Sequence, residues 1–241
     1  MILNMKKISV CIATYNGEKF IYNQLESILL QLNIDDEVII SDDFSSDNTI
    51  FEITRFRDSR IKIVYNNGKK GYTSNFENAL KYASGDIIFL SDQDDLWLPN
   101  KVDKCLEILE NNDFVVTDCK LIDENNHVIG NSYYKIRKNN KSLIGNLFKF
   151  GYLGCCFAFR KEVLLKALPF PSKFKYCTHD NWLMLIGMLY FRHYISDAKM
   201  ILYRRHDNNA SDGGFESKTT FNFKVKYRLY LLKNLIIRYN K

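Results

Sequence analysis

Proline and glycine are scarce in this sequence, with 3 Pro and 11 Gly among 241 residues. This composition excludes collagen-like, proline-rich and low-complexity chains. No apolar run reaches the ~18 residues that a membrane-spanning helix needs. The first residues, MILNMKK, lead directly into a strand-like segment, so we expect no signal peptide and a cytosolic location.

Cysteine and histidine are not spaced as metal ligands. The six cysteines contain no C-x-x-C pair and the four histidines lie far apart, which argues against a zinc site. We interpret the vicinal Cys155-Cys156 pair as strand core rather than redox chemistry. The thiols fit a reduced compartment.

Acidic residues are missing from the C-terminal segment, where seven Lys or Arg residues follow from Lys218 onward. The net charge of the whole chain is +6, so the remainder is close to neutral. The sequence therefore does not indicate a nucleic-acid partner.

Short apolar runs alternate with helical patterns in the first half of the chain. This alternation predicts an α/β fold with a mostly parallel central sheet and helices on both faces. We expect strands at 8–14, 37–41, 61–65 and 86–90. In the less regular second half we expect helices at 99–110 and 178–191, strands at 113–119, 154–160, 194–196 and 200–204, and a polar loop at 123–142.

Polar segments follow three of the predicted strands: TYNGE (14–18), SDDFSSD (41–47) and SDQDD (91–95). In parallel sheets, ligands bind beyond the carboxyl ends of the strands. We therefore expect these segments to converge at one edge of the sheet.

The acids in these segments allow two interpretations each. Asp92 and Asp94, two positions apart, suit Mg²⁺ or Mn²⁺ with a phosphate-bearing ligand, or are exposed turn acids. A calcium EF-hand is excluded because its glycine is missing. Asp42 or Asp43 could accept the imide N–H of uracil or thymine, or could serve only a turn and helix start.

Five blocks carry a family resemblance. They are "CIATYNGEKFIYNQLESI", "VIISDDFSSDNT", "NNGKKGYTSNFENALKYASGDIIFLSDQDDLWLPNKV", "THDNWL" and "YRRHDNNAS". In this order and spacing they resemble family-2 glycosyltransferases with the GT-A (Rossmann-like) fold. The "SDQDDLW" form is similar to bacterial enzymes that build O-antigen, capsule and other surface polysaccharides.

The resemblance implies a role for each matching residue. Asp180 matches the catalytic base, and Asp94 and Asp92 match the metal-binding D-x-D pair, with His206 as a further candidate metal ligand. The residues implied to bind the nucleotide sugar are Thr14, Tyr15, Asp42, Asp43, Asn75, Asp92 and Gln93.

The resemblance also implies an activity. It is an inverting, metal-dependent transfer of a hexose or deoxyhexose from a UDP- or dTDP-sugar to a lipid-linked oligosaccharide. A positioned carboxylate apart from the metal cluster can remove the acceptor proton, and Asp180, with Thr178 as an expected helix cap, meets that need. A nucleotidyltransferase and a non-catalytic sugar-nucleotide- or glycan-binding module are the alternatives.

The implied organisation is one catalytic domain at 1–215 and a basic tail at 216–241. Residues 1–98 would bind the nucleotide sugar and residues 99–215 would carry the acceptor and catalytic side. Apolar residues of the tail recur at helical spacing, so a helix would place Phe221, Val225, Leu229, Leu232, Ile236 and Tyr239 on one face. This face either packs on the domain or, through 219–241, lies on the anionic inner leaflet of the cytoplasmic membrane.

Three positions depart from the family pattern. Ser74 stands where arginine is common, Phe44 where glycine is common, and His179 where a second acid often precedes the base. The change at Ser74 puts one phosphate contact in doubt, and the change at His179 does the same for acceptor binding.

Overall fold

The computed structural model describes residues 6–206 and 220–239. These residues form nine strands: β1 (Ile8–Thr14), β2 (Glu37–Asp42), β3 (Ile61–Tyr65), β4 (Ile87–Asp92), β5 (Leu96–Trp97), β6 (Phe114–Ile122), β7 (Val128–Gly130), β8 (Phe157–Arg160) and β9 (His193–Arg204). All nine belong to a single sheet with the order β3-β2-β1-β4-β8-β6-β9-β5, and β7 pairs with β6.

Helices connect and cover these strands. They are α1 (Ile21–Leu29), α2 (Thr49–Thr54), α3 (Tyr72–Lys81), α4 (Lys101–Leu109), α5 (Tyr133–Arg137), α6 (Leu143–Phe148), α7 (Lys161–Ala167), α8 (His179–Tyr190) and α9 (Phe221–Tyr239). A 3₁₀ turn covers Gly154–Cys156. None of the described helices is long and apolar enough to cross a membrane.

The first four predicted strands are confirmed. β1 lies between β2 and β4 and is parallel to both, so Thr14 is beside Asp42 and Ala13 is beside Asp92. The Ile and Val residues of β1, β2 and β4 are buried, and those of β3 at the end of the sheet order are partly buried. This register brings the polar segments after β1, β2 and β4 to one edge of the sheet.

The second half is built around strands that run in both directions. β8 is antiparallel to both β4 and β6, whereas β6 and β9 are parallel. Six of the nine described strands therefore share one direction, which confirms the mostly parallel sheet.

One long strand, β9, replaces the two short strands expected at 194–196 and 200–204. The pairing of β9 with β6 shifts register on either side of Asp118. These irregularities let β9 continue through residues 197–199, where the alternation of apolar and polar residues is interrupted.

Other predictions for the second half need correction. The polar segment 123–142 contains β7 and α5, and α6 and α7 were not expected. The Cys155-Cys156 pair lies in the 3₁₀ turn before β8 rather than in a strand, although both thiols are buried as predicted.

α8 is the buried helix that the sequence predicted, and it carries His179 and Asp180 in its first turn. Gly187 lies against the ring of Phe114 on β6: a Cβ at this position would be 2.7 Å from Phe114 Cγ. The missing side chain lets α8 approach the sheet closely. The position of Asp180 at the edge of the sheet depends on this approach.

α9 packs on the domain through one face and exposes the other. Leu231 and Leu235 are buried, the Tyr190 hydroxyl donates to the Leu235 carbonyl at 2.9 Å, and Arg238 donates to the Leu168 carbonyl at 2.6 Å. The six apolar residues that the sequence placed on one face are 36–81% exposed. The helix thus has two apolar faces, and the one that we predicted points outward.

We expect Gly187→Ala to lower the free energy of unfolding by about 1–3 kcal/mol, the usual cost of overfilling a packed core. An alanine in an open helix position would instead stabilise the protein by about 1 kcal/mol. Urea unfolding measures the change, and the double variant Gly187→Ala/Phe114→Leu should recover part of the loss. A single variant as stable as the wild type would contradict the close packing.

Candidate active site

A cavity of about 320 Å³ opens at the edge of the sheet where β1, β2 and β4 end. Its walls come from the ends of these strands, from α3, from the 3₁₀ turn and from the first turn of α8. The lining residues are Ala13, Thr14, Tyr15, Asp43, Gly71, Tyr72, Asn75, Phe76, Asp92, Gln93, Asp94, Leu153, Gly154, His179, Asp180 and Tyr203.

The two acids after β2 have different surroundings. Asp42 is buried and accepts hydrogen bonds from the Thr14 hydroxyl at 3.1 Å and from the Ser45 backbone N–H at 2.8 Å. Asp43 lines the cavity and accepts from the Asn66 side chain at 2.9 Å and the Gly71 N–H at 2.7 Å. Asp42 therefore fastens the strand ends together, and Asp43 faces the space that a ligand would fill.

Tyr15 and Gln93 join the segments that follow β1 and β4. The Tyr15 N–H donates to Gln93 Oε1 at 2.9 Å, and Gln93 Nε2 donates back to the Tyr15 carbonyl at 3.1 Å. Gly17 leaves room for this pair, since a Cβ there would be 2.4 Å from Gln93 Oε1. The reciprocal bonds hold both segments at the mouth of the cavity.

Asn75 and Ser74 come from the first turns of α3. Asn75 Nδ2 donates to the Thr14 carbonyl at 2.9 Å, and its Oδ1 is buried without a hydrogen-bond partner among the described residues. Ser74 is buried and donates to Asn66 Oδ1 at 3.4 Å. In this chain the position before Asn75 therefore supports the loop around Asp43 rather than presenting a cation.

Three carboxylates meet behind β4. Burial, the Asp94 carboxylate and the Asp180 carboxylate raise the pKa of Asp92 to about 8. Burial together with Asp94 and Asp92 raises the pKa of Asp95 well above its ordinary value. Each shift reflects burial first and then repulsion from the neighbouring carboxylates.

The end of β9 encloses this cluster. His206 Nε2 lies 2.7 Å from Asp94 Oδ2, and the His206 ring stacks on Phe20 at 5.2 Å between centroids. The Arg204 N–H donates to Asp95 Oδ1 at 3.0 Å, and Arg204 Nε donates to the Asp94 carbonyl at 2.8 Å. His206 thus lies beside the acidic cluster, and the part of YRRHDNNAS beyond it is outside the described residues.

The acidic cluster fits a divalent cation. Oxygens of Asp92 and Asp95 and the Cys155 sulfur lie within 4.8 Å of one another. Asp95 Oδ2 is buried and has no hydrogen-bond partner in the described part of the chain. Carboxylate oxygens are the ligands that Mg²⁺ and Mn²⁺ prefer.

Asp180 is a half-buried carboxylate in the first turn of α8 that lines the same cavity. Its Oδ1 accepts from the Thr178 hydroxyl and from the Asn181 N–H at 2.7 Å. Thr178 was expected to cap α8, but its hydroxyl is directed to Asp180 instead. These donors fix the orientation of the Asp180 carboxylate at the wall of the cavity.

Several lining residues were not predicted as site residues. Tyr72, Leu153, Gly154, His179 and Tyr203 line the cavity, and buried Asp95 lies behind it. His179 was noted only as a departure from the family pattern. Aromatic and small residues of this kind carry no local sequence signal, since they resemble ordinary core positions until the fold brings them together.

The family model for Glycosyl transferase family 2 matches residues 9–168. WfgD of Escherichia coli, a UDP-Glc:alpha-D-GlcNAc-diphosphoundecaprenol beta-1,3-glucosyltransferase, is 34% identical over 68% of this chain and 64% of its own length. The dTDP-rhamnosyl transferase RfbG of Shigella flexneri is 32% identical over 92% of this chain and 79% of its own.

Solved structures share the architecture. Staphylococcus aureus TarS 1–349 in complex with UDP-GlcNAc has a TM-score of 0.71 at 19% identity, covering 96% of this chain and 66% of that one. The mannosyltransferase PcManGT of Pyrobaculum calidifontis in complex with GDP-Man and Mn²⁺ has a TM-score of 0.63 at 19% identity, covering 86% and 59%. The similarity confirms the expected GT-A fold.

Proposed function

Because the chain belongs to glycosyl transferase family 2, we propose that it moves a hexose or deoxyhexose from a nucleotide-diphospho-sugar to a saccharide acceptor, with inversion at the anomeric carbon. The observation that supports this most is the joint placement of Asp43, the D-x-D pair and Asp180 around one cavity. A non-catalytic binding module would have no use for an oriented carboxylate apart from the acidic cluster.

In the proposed reaction, a hydroxyl oxygen of the acceptor attacks the anomeric carbon of the donor. The bond from this carbon to the diphosphate oxygen breaks, so the diphosphate leaves with the bonding electrons. The acceptor proton passes to the Asp180 carboxylate. One displacement of this kind inverts the anomeric configuration.

Asp92 and Asp94 would hold a divalent cation, with His206 beside Asp94 as a third candidate ligand. When bound, Mn²⁺ or Mg²⁺ supplies positive charge for the departing diphosphate. Asp43 would accept the imide N–H of uracil or thymine, and Thr14, Tyr15, Asn75 and Gln93 would form the rest of the nucleotide end. Asp42 accepts hydrogen bonds from Thr14 and Ser45 and would therefore position these residues rather than contact the nucleotide itself.

We propose a UDP- or dTDP-sugar as donor and a lipid-linked oligosaccharide as acceptor, in bacterial surface-polysaccharide synthesis. The proposal is based on two relatives. WfgD is named for UDP-Glc and alpha-D-GlcNAc-diphosphoundecaprenol, and RfbG is named a dTDP-rhamnosyl transferase. The aligned region covers only 64% of WfgD. We propose that residues 1–98 bind the donor, that residues 99–215 bind the acceptor and carry the catalytic base, and that residues 216–241 form the tail.

The outward face of α9 is proposed to contact the inner face of the cytoplasmic membrane. Leu229 and Ile236 are 61% and 64% exposed, and Lys226 and Lys233 beside them are exposed too. Each basic residue near an anionic surface contributes about 1 kcal/mol. Arg228 and Arg238 are also positively charged, and their guanidinium groups donate to the protein carbonyls of Phe148 and Leu168.

We expect Asp94→Ala to abolish metal-dependent turnover and to leave the fold intact, since it removes one of three repelling carboxylates. Sugar transfer in Mn²⁺ and in excess EDTA measures the effect, and Asp103→Ala, an exposed acid on α4, is the control. Full activity of Asp94→Ala, or equal wild-type activity in EDTA, would refute the metal assignment.

The same assignment predicts a pH dependence in the wild type. With its pKa raised to about 8, Asp92 holds an extra proton in the folded state between pH ~4 and ~8, so the metal-free fold loses stability as pH rises through that window. A cation must displace this proton. The rise in Tm on adding Mn²⁺ should therefore grow from pH 6 to pH 8 and vanish in Asp94→Ala.

We expect Asp180→Asn to keep donor binding and lose transfer by roughly 10²–10⁴-fold, the usual effect of removing a positioned base. Asparagine keeps an oxygen for the Thr178 and Asn181 donors, so the local structure should persist. Initial rates and NMR of the product test this, with exposed Asp197→Asn as the control. A product with retained anomeric configuration would rule out single displacement.

We expect Leu229→Gln/Ile236→Gln to release the protein from phosphatidylglycerol vesicles without lowering its Tm or its turnover on a soluble acceptor analogue. The matched control Leu30→Gln/Ile34→Gln removes two apolar residues elsewhere on the surface that are even more exposed, at 82% and 78%. Sedimentation with vesicles at moderate salt is the measurement. If both double variants sediment like the wild type, α9 is not the membrane contact.

A further inference from the structure

The C-terminal helix α9 contacts the first turn of α8 through the hydroxyl group of Tyr227. The Asn181 side-chain amide donates a hydrogen bond to this hydroxyl, and Asn181 is buried. The backbone N–H of the same Asn181 donates to Asp180 Oδ1 at 2.7 Å. Asn181 therefore joins α9 to the carboxylate that we propose as the base.

The first turn of α8 receives no side-chain hydrogen bond from its cap residue in the described part of the chain. Thr178 stands at the cap position, but its hydroxyl donates to the Asp180 carboxylate. The first backbone N–H groups of a helix have no partner within the helix, and helix ends open more readily than helix interiors. A contact from another element, such as the one from Tyr227, therefore bears directly on the position of Asp180.

Aromatic contacts on both sides of Tyr227 hold this part of α9 in place. The ring of Tyr176, in the segment that leads into α8, lies 5.3 Å from the ring of Phe223 and 5.9 Å from that of Tyr230 between centroids. The Lys173 backbone N–H donates to the Tyr230 hydroxyl at 3.0 Å. Tyr227 lies between Phe223 and Tyr230 along the helix, so these contacts fix the position from which its hydroxyl meets Asn181.

The charge state of Tyr227 restricts what the residue can do. Burial raises the pKa of the Tyr227 hydroxyl, and the nearby Asp180 carboxylate raises it further. The phenol therefore keeps its proton at pH 7 and cannot share the role of base with Asp180. Its contribution is to hold Asn181, and that contribution requires no charge.

We propose that Tyr227 is a positioning residue, which holds Asn181 and through it the Asp180 carboxylate at the wall of the cavity. The inference rests on the proposed role of Asp180 in glycosyl transfer, and it makes α9 part of the structure that builds the active site. Displacing a catalytic group by about 1 Å can lower the rate by about 10²-fold. The Tyr227 hydroxyl therefore affects turnover although Tyr227 is not among the residues that line the cavity.

The test compares Tyr227→Phe with the matched control Tyr230→Phe, each in the wild type and in Asp180→Asn. Each substitution removes a hydroxyl that accepts one hydrogen bond, from Asn181 in the first case and from Lys173 in the second. The donor is whichever of UDP-glucose, UDP-N-acetylglucosamine and dTDP-rhamnose the wild type uses fastest. We measure Tm, and kcat and KM both for transfer to a short-chain analogue of alpha-D-GlcNAc-diphosphoundecaprenol and for hydrolysis, in which water is the acceptor.

We expect Tyr227→Phe to lower kcat roughly tenfold without changing the KM of the donor, because the base is displaced and donor binding is not. Its Tm should fall as well, since the buried Asn181 amide loses its partner. In Asp180→Asn the loss in kcat should disappear and the fall in Tm should remain, because there is no base left to position. Tyr230→Phe should leave kcat unchanged in both backgrounds.

The inference alone is overturned if Tyr227→Phe has the kcat of the wild type, if it lowers kcat by the same factor with and without the Asp180 carboxylate, or if only the KM of the donor changes. If Tyr227→Phe does not fold, Asn181→Leu/Tyr227→Phe is judged by the same criteria, since this double variant leaves no buried amide unpaired. A wild type that neither transfers nor hydrolyses any of these donors refutes the proposed function itself.

Discussion

Repulsion among the three carboxylates behind β4 is the constraint around which the site is arranged. Burial and neighbouring carboxylates raise the pKa of Asp92 and of Asp95, and the Asp94 carboxylate contributes to both shifts. Two contacts partly compensate this repulsion. The Arg204 backbone N–H donates to Asp95, and the His206 imidazole lies within hydrogen-bond distance of Asp94. The pairing of β5 with β9 and the stacking of Phe20 on His206 hold Arg204 and His206 beside the cluster.

The sequence predicts best where the pattern is local. The strands β1 to β4 are short apolar runs, and their shared direction brings Thr14, Asp43 and Asp92 to one edge without further information. The buried helix α8 was also evident, because its residues are apolar on all sides. Family membership came from five motifs in register, which no single motif could support.

What the sequence did not predict depends on contacts between distant residues. The length of β9 depends on its irregular pairing with β6, and the 3₁₀ turn at Gly154–Cys156 brings Cys155 close to Asp92 and Asp95. The different surroundings of Asp42 and Asp43 depend on Thr14, Ser45 and Asn66, none of which is distinctive in sequence. The sequence predicted that six apolar residues share one face of α9. It did not predict that a second face, with Leu231 and Leu235, packs on the domain.

Continuity of the sheet has a consequence for how ligands enter and leave. β4 of the first half pairs directly with β8 of the second, so the two sides of the cavity share one hydrogen-bonded framework. A hinge between two lobes would have to break that framework, which makes large domain closure energetically unfavourable. Motion at the mouth of the cavity is therefore expected from side chains and short connections rather than from separation of β4 and β8.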